Sequence, residues 1–257
     1  VVIWLGFTHI LDKHSQTFHN YPIYIKNNII SFVHSILSVI LAGIFLSDTQ
    51  KDANVFLYNQ ALSNTSLTNI SYLNESLTGS EYSYTNMLKI YNYVANPWSF
   101  TLLSLQAMSM CYFIADCIYI FRSGLILKKA PYLFHHVLML LLHYYAYTSR
   151  NTYGYIWLFY YGELSNFFTY TTYHFIKTKN EENAYLSSLC QCVWFSIYRG
   201  FVYTSFLLPF FYTTDSLLMR ILLPCIYIMG LMWGYNLLNT TYISIETRGD
   251  LKLICDE

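Results

Sequence analysis

The chain has 257 residues, of which 55% are apolar and 11% are charged, and its formal net charge is zero. A soluble domain carries about 25% charged residues, so this composition favours a membrane protein. A neutral chain also lacks the basic patch that binds nucleic acid, and we expect no nucleic-acid partner.

Six long apolar segments follow one another along the chain, at residues 29–46, 99–121, 132–148, 153–176, 184–208 and 217–243. Each approaches or exceeds the ~18–20 residues that a helix needs to cross a ~30 Å hydrocarbon layer. Residues 1–11 are apolar but too short to span, and we interpret them as the truncated end of a further span. The segments predict an all-α, polytopic transmembrane helical bundle that forms a single domain over residues 1–257.

Residues 47–96 form a long polar connection with three N-x-S sequons, at Asn64, Asn69 and Asn74. Sequons are glycosylated only on a lumenal or extracellular surface, so we predict a lumenal loop here, with a chance match in an Asn- and Ser-rich stretch as the alternative. Nine lysines and arginines then lie in cytosolic segments: Lys13, Lys26, Arg122, Lys128, Lys129, Lys177, Lys179, Arg248 and Lys252. Only Lys51, Lys89 and Arg150 would be lumenal, as the positive-inside rule requires. Residues 244–257 are accordingly predicted to be a cytosolic tail.

Seven ionisable side chains lie inside the apolar segments: His34, Asp116, His135, His136, His143, Glu163 and Arg199. A charged group at the centre of a bilayer costs at least ~2.5–3.5 kcal/mol, so such residues usually face the bundle interior or a cavity. We therefore expect the function of the protein to depend on these seven side chains.

Four of them share a depth near the predicted cytosolic side. At ~1.5 Å per residue, His34, Asp116 and the pair His135 and His136 lie a similar distance from the cytosolic ends of three helices. This predicts one polar pocket that opens toward the cytosolic leaflet, although each histidine could instead bond a nearby backbone group or tyrosine. His136 shares a helical stripe with His143, whereas His135 is turned about 100° away, so we assign His136 to the pocket.

Glu163 and Arg199 lie at comparable depths in the fourth and fifth segments. An unpaired buried charge is far costlier than a paired one, so we predict that these two side chains contact each other. The pair is either architectural or part of a headgroup-binding site. Cys190 and Cys192 lie on different faces of their helix, and we expect no metal site.

Five short motifs carry a family resemblance. They are residues 28–35, which include His34; 111–116, which end in Asp116; 131–136, which end in His135 and His136; 162–165, which include Glu163; and 195–199, which end in Arg199. In this order the chain resembles the TLC-domain family, over roughly residues 28–244. That family includes translocating-chain-associating membrane proteins, ceramide synthases, the ceroid-lipofuscinosis membrane protein and several small members.

The resemblance implies different functions according to the branch of the family. Ceramide synthases would imply N-acylation of a long-chain base by acyl-CoA, with His135 and His136 as the adjacent histidine pair. Those enzymes carry a His-Asp and a further acidic pair where residues 150–173 of this chain offer only Glu163, and this chain has no homeodomain-like segment. It is more similar to the small non-synthase members, which implies lipid sensing, trafficking or control of membrane composition.

We therefore predict a multi-pass membrane protein that binds or senses lipid and acts in lipid homeostasis or trafficking. Its predicted lipid-binding residues are His34, Asp116, His136, His143, Glu163 and Arg199. We expect it in the endoplasmic reticulum or another endomembrane, with the plasma membrane as the alternative, and without a cofactor. The alternative function is a lipid acyltransferase with acyl-CoA as co-substrate, in which a neutral histidine accepts the proton of an attacking amine and Asp116 stabilises the imidazolium. A transporter is disfavoured because the apolar segments show no inverted repeat. The expected partner is a membrane lipid, and the sequence leaves homo- and hetero-oligomers open.

Overall fold

A computed structural model describes residues 9–10, 13, 15, 20–63, 84–122, 129–148, 151–213 and 217–246. Across these ranges the regular structure is helical, which confirms the all-α prediction. The helices are α1 (Ile23–Ser63), α2 (Tyr84–Val94), α3 (Phe100–Arg122), α4 (Ala130–Thr148), α5 (Thr152–Ser165), α6 (Phe167–Lys177), α7 (Glu181–Phe195), a π-helix (Ser196–Tyr203), α8 (Thr204–Thr213) and α9 (Leu217–Glu246).

Three stretches are long and apolar enough to cross a membrane: Tyr24–Leu57 in α1, Phe100–Arg122 in α3 and Leu217–Asn239 in α9. The other three predicted spans are helical, and two of them are less regular. The third is the continuous helix α4, which contains three histidines. The fourth is divided at Asn166 into α5 and α6, and the fifth comprises α7, the π-helix and α8.

Six helices form a closed ring in one half of the bundle. Going around it, α1 packs against α3, α3 against α4, α4 against α9, α9 against α7, α7 against α6, and α6 against α1 again. In the other half, α5 replaces α6 beside α1 and also contacts α2, α4, α8 and the π-helix. Large apolar side chains fill this second half, among them Leu105, Leu142, Ile156 and Phe210, none of which is more than 2% exposed. The interior is therefore closed at the α5 end, and the α6 end is left for a cavity.

The predicted lumenal loop at residues 47–96 is partly helical instead. Helix α1 continues to Ser63, and α2 occupies Tyr84–Val94. No glycine or proline lies between Ile44 and Ser63 to end the helix, and the extension buries Ala53 against Ile90 of α2. The sequons at Asn64, Asn69 and Asn74, most of residues 1–11, and the tail beyond Glu246 lie outside the described residues.

Candidate functional site

A cavity of about 470 Å³ lies in the six-helix ring, at the end formed by the starts of α1 and α4 and the ends of α3, α6 and α9. Its volume is within the roughly 300–1,000 Å³ of small-molecule sites in proteins. Its wall contains five ionisable side chains: Asp116, Lys129, His135, His136 and Glu163. The cavity opens at this end of the bundle. The evidence is the exposure of three tyrosines of its wall, which are between 37% and 51% exposed: Tyr24, Tyr132 and Tyr173.

Asp116 and His136 form a close pair in the cavity wall. Asp116 Oδ2 lies 3.2 Å from His136 Nδ1, and the two side chains are only 11% and 8% exposed. The other carboxylate oxygen, Oδ1, accepts a hydrogen bond of 2.8 Å from Asn27 Nδ2 on α1. This is a charge contact, because His136 Nδ1 makes no hydrogen bond among the described residues. It leaves Nε2 as the nitrogen for other partners. The last turns of α3 and the first turns of α4 thus build an oriented acid–base pair, which Asn27 braces.

His135 also lines the cavity, which differs from the prediction that only one of the adjacent histidines would. Both can do so because the cavity extends around the start of α4, with α3 on one side and α9 on the other. His135 lies on the α9 side, with its ring edge-on to Trp233 at 5.1 Å between centroids. Its buried Nδ1 has no hydrogen-bond partner in the part of the chain that the structure describes.

His34 lies one layer behind the cavity rather than in its wall. Its ring stacks on Tyr112 at 3.9 Å, and Tyr112 is the side chain that faces the cavity. His34 Nε2 lies 3.2 Å from Ser109 Oγ and 3.1 Å from Ser38 Oγ, at full burial. The sequence predicted that His34 lies at the same depth as Asp116. In the structure His34 is one turn deeper than Ser31, which is the last α1 residue that lines the cavity.

His143 does not line the cavity, so its assignment to a lipid-binding site does not fit its position. It is 1% exposed, and its Nδ1 lies 2.6 Å from the hydroxyl of Tyr155 and 3.0 Å from the Met139 carbonyl oxygen. The rings of Phe113 and Phe159 meet it edge-on. Two turns along the stripe from His136, the cavity has ended and the apolar core has begun, which explains the difference between the two histidines.

The fourth span is divided at Asn166, so the carbonyl groups at the end of α5 lack the hydrogen bonds that a continuous helix would give them. Side chains from other helices bond three of these carbonyls in succession. Arg199 donates to the Gly162 oxygen at 3.4 Å, Ser35 to that of Glu163 at 3.1 Å, and Trp194 to that of Leu164 at 2.7 Å. The break is therefore held in place by α1, α7 and the π-helix, and it fixes the position of Glu163.

Arg199 does not make the direct ion pair with Glu163 that the sequence predicts. Its Nε donates to Ser165 Oγ at 3.2 Å, and its guanidinium lies 5.8 Å from the Phe195 ring centroid and 5.2 Å from that of Tyr203. The carbonyl end of a helix carries a partial negative charge, so the end of α5 stabilises the guanidinium in place of a carboxylate. Within the described ranges Glu163 Oε2 is buried and makes no hydrogen bond.

A second, small cavity of about 30 Å³ is lined by both Glu163 and Arg199. Its wall includes Tyr155 and Gly162, together with apolar side chains of α4, α5 and α9. Three residues line both cavities: His135, Glu163 and Asn166. The two cavities are thus neighbours with a shared polar wall.

The sequence did not single out Asn27, Tyr112 or Trp233, although each shapes the site. Asn27 lies just before the first apolar segment, where an asparagine at a helix end is ordinary. Tyr112 and Trp233 are two of many aromatic residues in apolar segments, and only the packing of the helices distinguishes them. Among the described residues, no group of three His, Cys, Asp or Glu side chains could hold a metal ion.

No family model, curated protein or solved structure matches this chain. The resemblance to the TLC-domain family stays a prediction from the five motifs.

Proposed function

We propose that this chain is a multi-pass membrane protein that binds a membrane lipid in the 470 Å³ cavity and acts in lipid homeostasis or trafficking. The observation that carries the proposal is the buried Asp116–His136 pair in the wall of a cavity that opens at one end of a helical ring. Polar groups at membrane depth are expensive to keep, so such a pair favours a ligand with a polar group of its own.

The chemistry of the wall matches an amphiphilic ligand. Asp116, His136 and Glu163 offer hydrogen bonds to a headgroup, whereas Phe195, Trp233 and Leu237 offer apolar contacts to a chain. The opening lies at the start of α1. The distribution of lysines and arginines predicts that this end of α1 is on the cytosolic side. A lipid of the cytosolic leaflet would enter with its headgroup near the wall formed by α3 and α4.

Mass spectrometry of lipids that copurify with the protein tests this proposal. We expect the parent protein to retain a defined lipid and Asp116→Asn and His136→Ala to lose most of it. Val137→Ala and Ile118→Ala are matched controls, since these neighbours are exposed on the outside of the same helices and should keep the lipid. Folded Asp116 and His136 variants with the full lipid content would refute the proposal.

The same pair also favours a second candidate function, a lipid N-acyltransferase. His136 Nε2 would accept the proton of an amine as its nitrogen attacks the thioester carbonyl of acyl-CoA, and Asp116 would stabilise the imidazolium. The imidazolium would then protonate the departing CoA thiolate, so that the products are an amide and CoA. Lys129 in the cavity wall adds a positive charge on the side from which acyl-CoA would come.

Incubation with a long-chain amine and a fatty acyl-CoA separates the two functions. Amide that forms with the parent protein and disappears in Asp116→Asn would establish the enzyme. Lipid retention without turnover favours the binding protein. With either function, we propose from the five motifs that the chain belongs to the TLC-domain family, and from the sequons that it resides in the endoplasmic reticulum or another endomembrane.

A further inference from the structure

The small cavity beside Glu163 has the size and the polar groups of an internal water site. Its volume of about 30 Å³ exceeds the ~10–15 Å³ that a cavity needs to hold one water molecule. Two buried polar atoms of its lining residues, Glu163 Oε2 and His135 Nδ1, make no hydrogen bond among the described residues. The guanidinium of Arg199 belongs to the same wall.

Unsatisfied buried polar atoms are costly, and a buried water usually satisfies about three of them. We propose that one ordered water occupies the small cavity and joins Glu163, His135 and Arg199 into a single hydrogen-bonded unit. The water takes the place of the direct ion pair, since Arg199 donates its hydrogen bonds to Ser165 and to the Gly162 carbonyl. This site is separate from the lipid cavity and does not depend on lipid binding.

The water gives the large cavity an indirect connection to the π-helix. Glu163 and His135 line both cavities, whereas Arg199 lines only the small one. A ligand that contacts either shared residue therefore acts on Arg199 through the water. Arg199 is in this sense a positioning residue, and it lies in a helical form that is frequently found at functional sites.

Two glycines provide a matched pair of test variants, because both contact Arg199 and only one lines the small cavity. A Cβ at Gly162 would lie 3.8 Å from Arg199 Nη1, and one at Gly230 would lie 3.6 Å from Arg199 Cδ. Neither added carbon would clash with a neighbour. Gly162 belongs to the wall of the small cavity and Gly230 does not, so Gly162→Ala removes room for the water and Gly230→Ala does not.

The experiment is a double-mutant cycle of Glu163→Met and Arg199→Met, read as the midpoint of thermal unfolding in detergent. The cycle is run in the parent protein and in the Gly162→Ala and Gly230→Ala backgrounds. We expect the shift of the double variant to be smaller than the sum of the two single shifts in the parent and in Gly230→Ala. In Gly162→Ala the shifts should become additive. Equal coupling in all three backgrounds, or additivity in the parent, would overturn the proposal.

An experimental density map of the parent protein provides a second, independent measurement if the methionine variants do not fold. We expect a peak within hydrogen-bond distance of Glu163 Oε2 and His135 Nδ1. A map that shows ordered waters elsewhere but an empty small cavity would refute the water site. Neither measurement reads lipid content, so its failure is distinct from a failure of the lipid-binding proposal.

Discussion

The contact between Asp116 and His136 should appear as a measurable coupling energy. Asp116→Leu removes the acceptor of Asn27 and the neighbour of His136 Nδ1, whereas His136→Leu removes only one contact of Asp116. Each buried polar group left without a partner costs about 1–3 kcal/mol. The loss of the Asp116–His136 contact is counted in both single variants but only once in the double variant.

We therefore expect the double variant to be more stable than the sum of the single effects implies. Residues in contact show interaction energies of about 0.5–3 kcal/mol in such cycles, and water from the open cavity will replace part of this contact. The expected coupling energy is about 1–2 kcal/mol.

The assay is the free energy of unfolding in detergent for the parent, the two single variants and the double variant. The control cycle pairs Asp116→Leu with His143→Leu. His143 lies on the same helix as His136 but two turns farther along, and its imidazole is bonded to Tyr155. Distant residues add within about 0.3–0.5 kcal/mol, so the control cycle should be additive. Additivity in the Asp116–His136 cycle as well would show that the two side chains do not interact and that the site has been assigned wrongly.

Two further predictions concern packing and topology. Gly154→Ala should destabilise the protein by about 1–3 kcal/mol, because its Cβ would overlap the ring of the fully buried Phe210. Gly200→Ala is the control and should be neutral or stabilising, because its added carbon meets nothing within 4 Å. Equal unfolding midpoints for the two variants would contradict this packing. In a glycosylating cell, glycosidase should reduce the apparent mass of the protein, and replacement of all three sequon asparagines by Gln should abolish that shift. These three asparagines are Asn64, Asn69 and Asn74. An unmodified parent protein would argue for the inverted topology.

The sequence predicted the ends of two helices closely, and it predicted that Asp116 and His136 lie at one level. The apolar segment at residues 99–121 corresponds to α3, Phe100–Arg122, and the one at 132–148 corresponds to α4, Ala130–Thr148. Depth could be predicted because a helix has a fixed rise per residue. The structure accordingly brings Asp116 to His136, although 19 residues separate them in the sequence.

The rotation of each helix and its local breaks could not be predicted in this way. Hydropathy is an average over a window, and it does not detect that α5 ends at Ser165 or that a π-helix begins at Ser196. The break depends on Ser35 and Trp194, which come from helices far away in the chain. His34 was predicted at the depth of the site, but it lies one turn deeper and behind Tyr112, and that placement depends on how α1 packs against α3.

The two irregular helices stabilise each other, which explains why they occur at the same level of the bundle. The end of α5 presents carbonyl oxygens that a continuous helix would have used, and Arg199 of the π-helix donates to the one at Gly162. A guanidinium suits this position because its planar fork can bond the carbonyl and Ser165 Oγ together, which a lysine ammonium does less well. Arg199 needs no direct carboxylate partner for this, and Glu163 Oε2 is left buried and without a hydrogen bond among the described residues. The breaks in the helices therefore keep Glu163 available in the wall that the two cavities share.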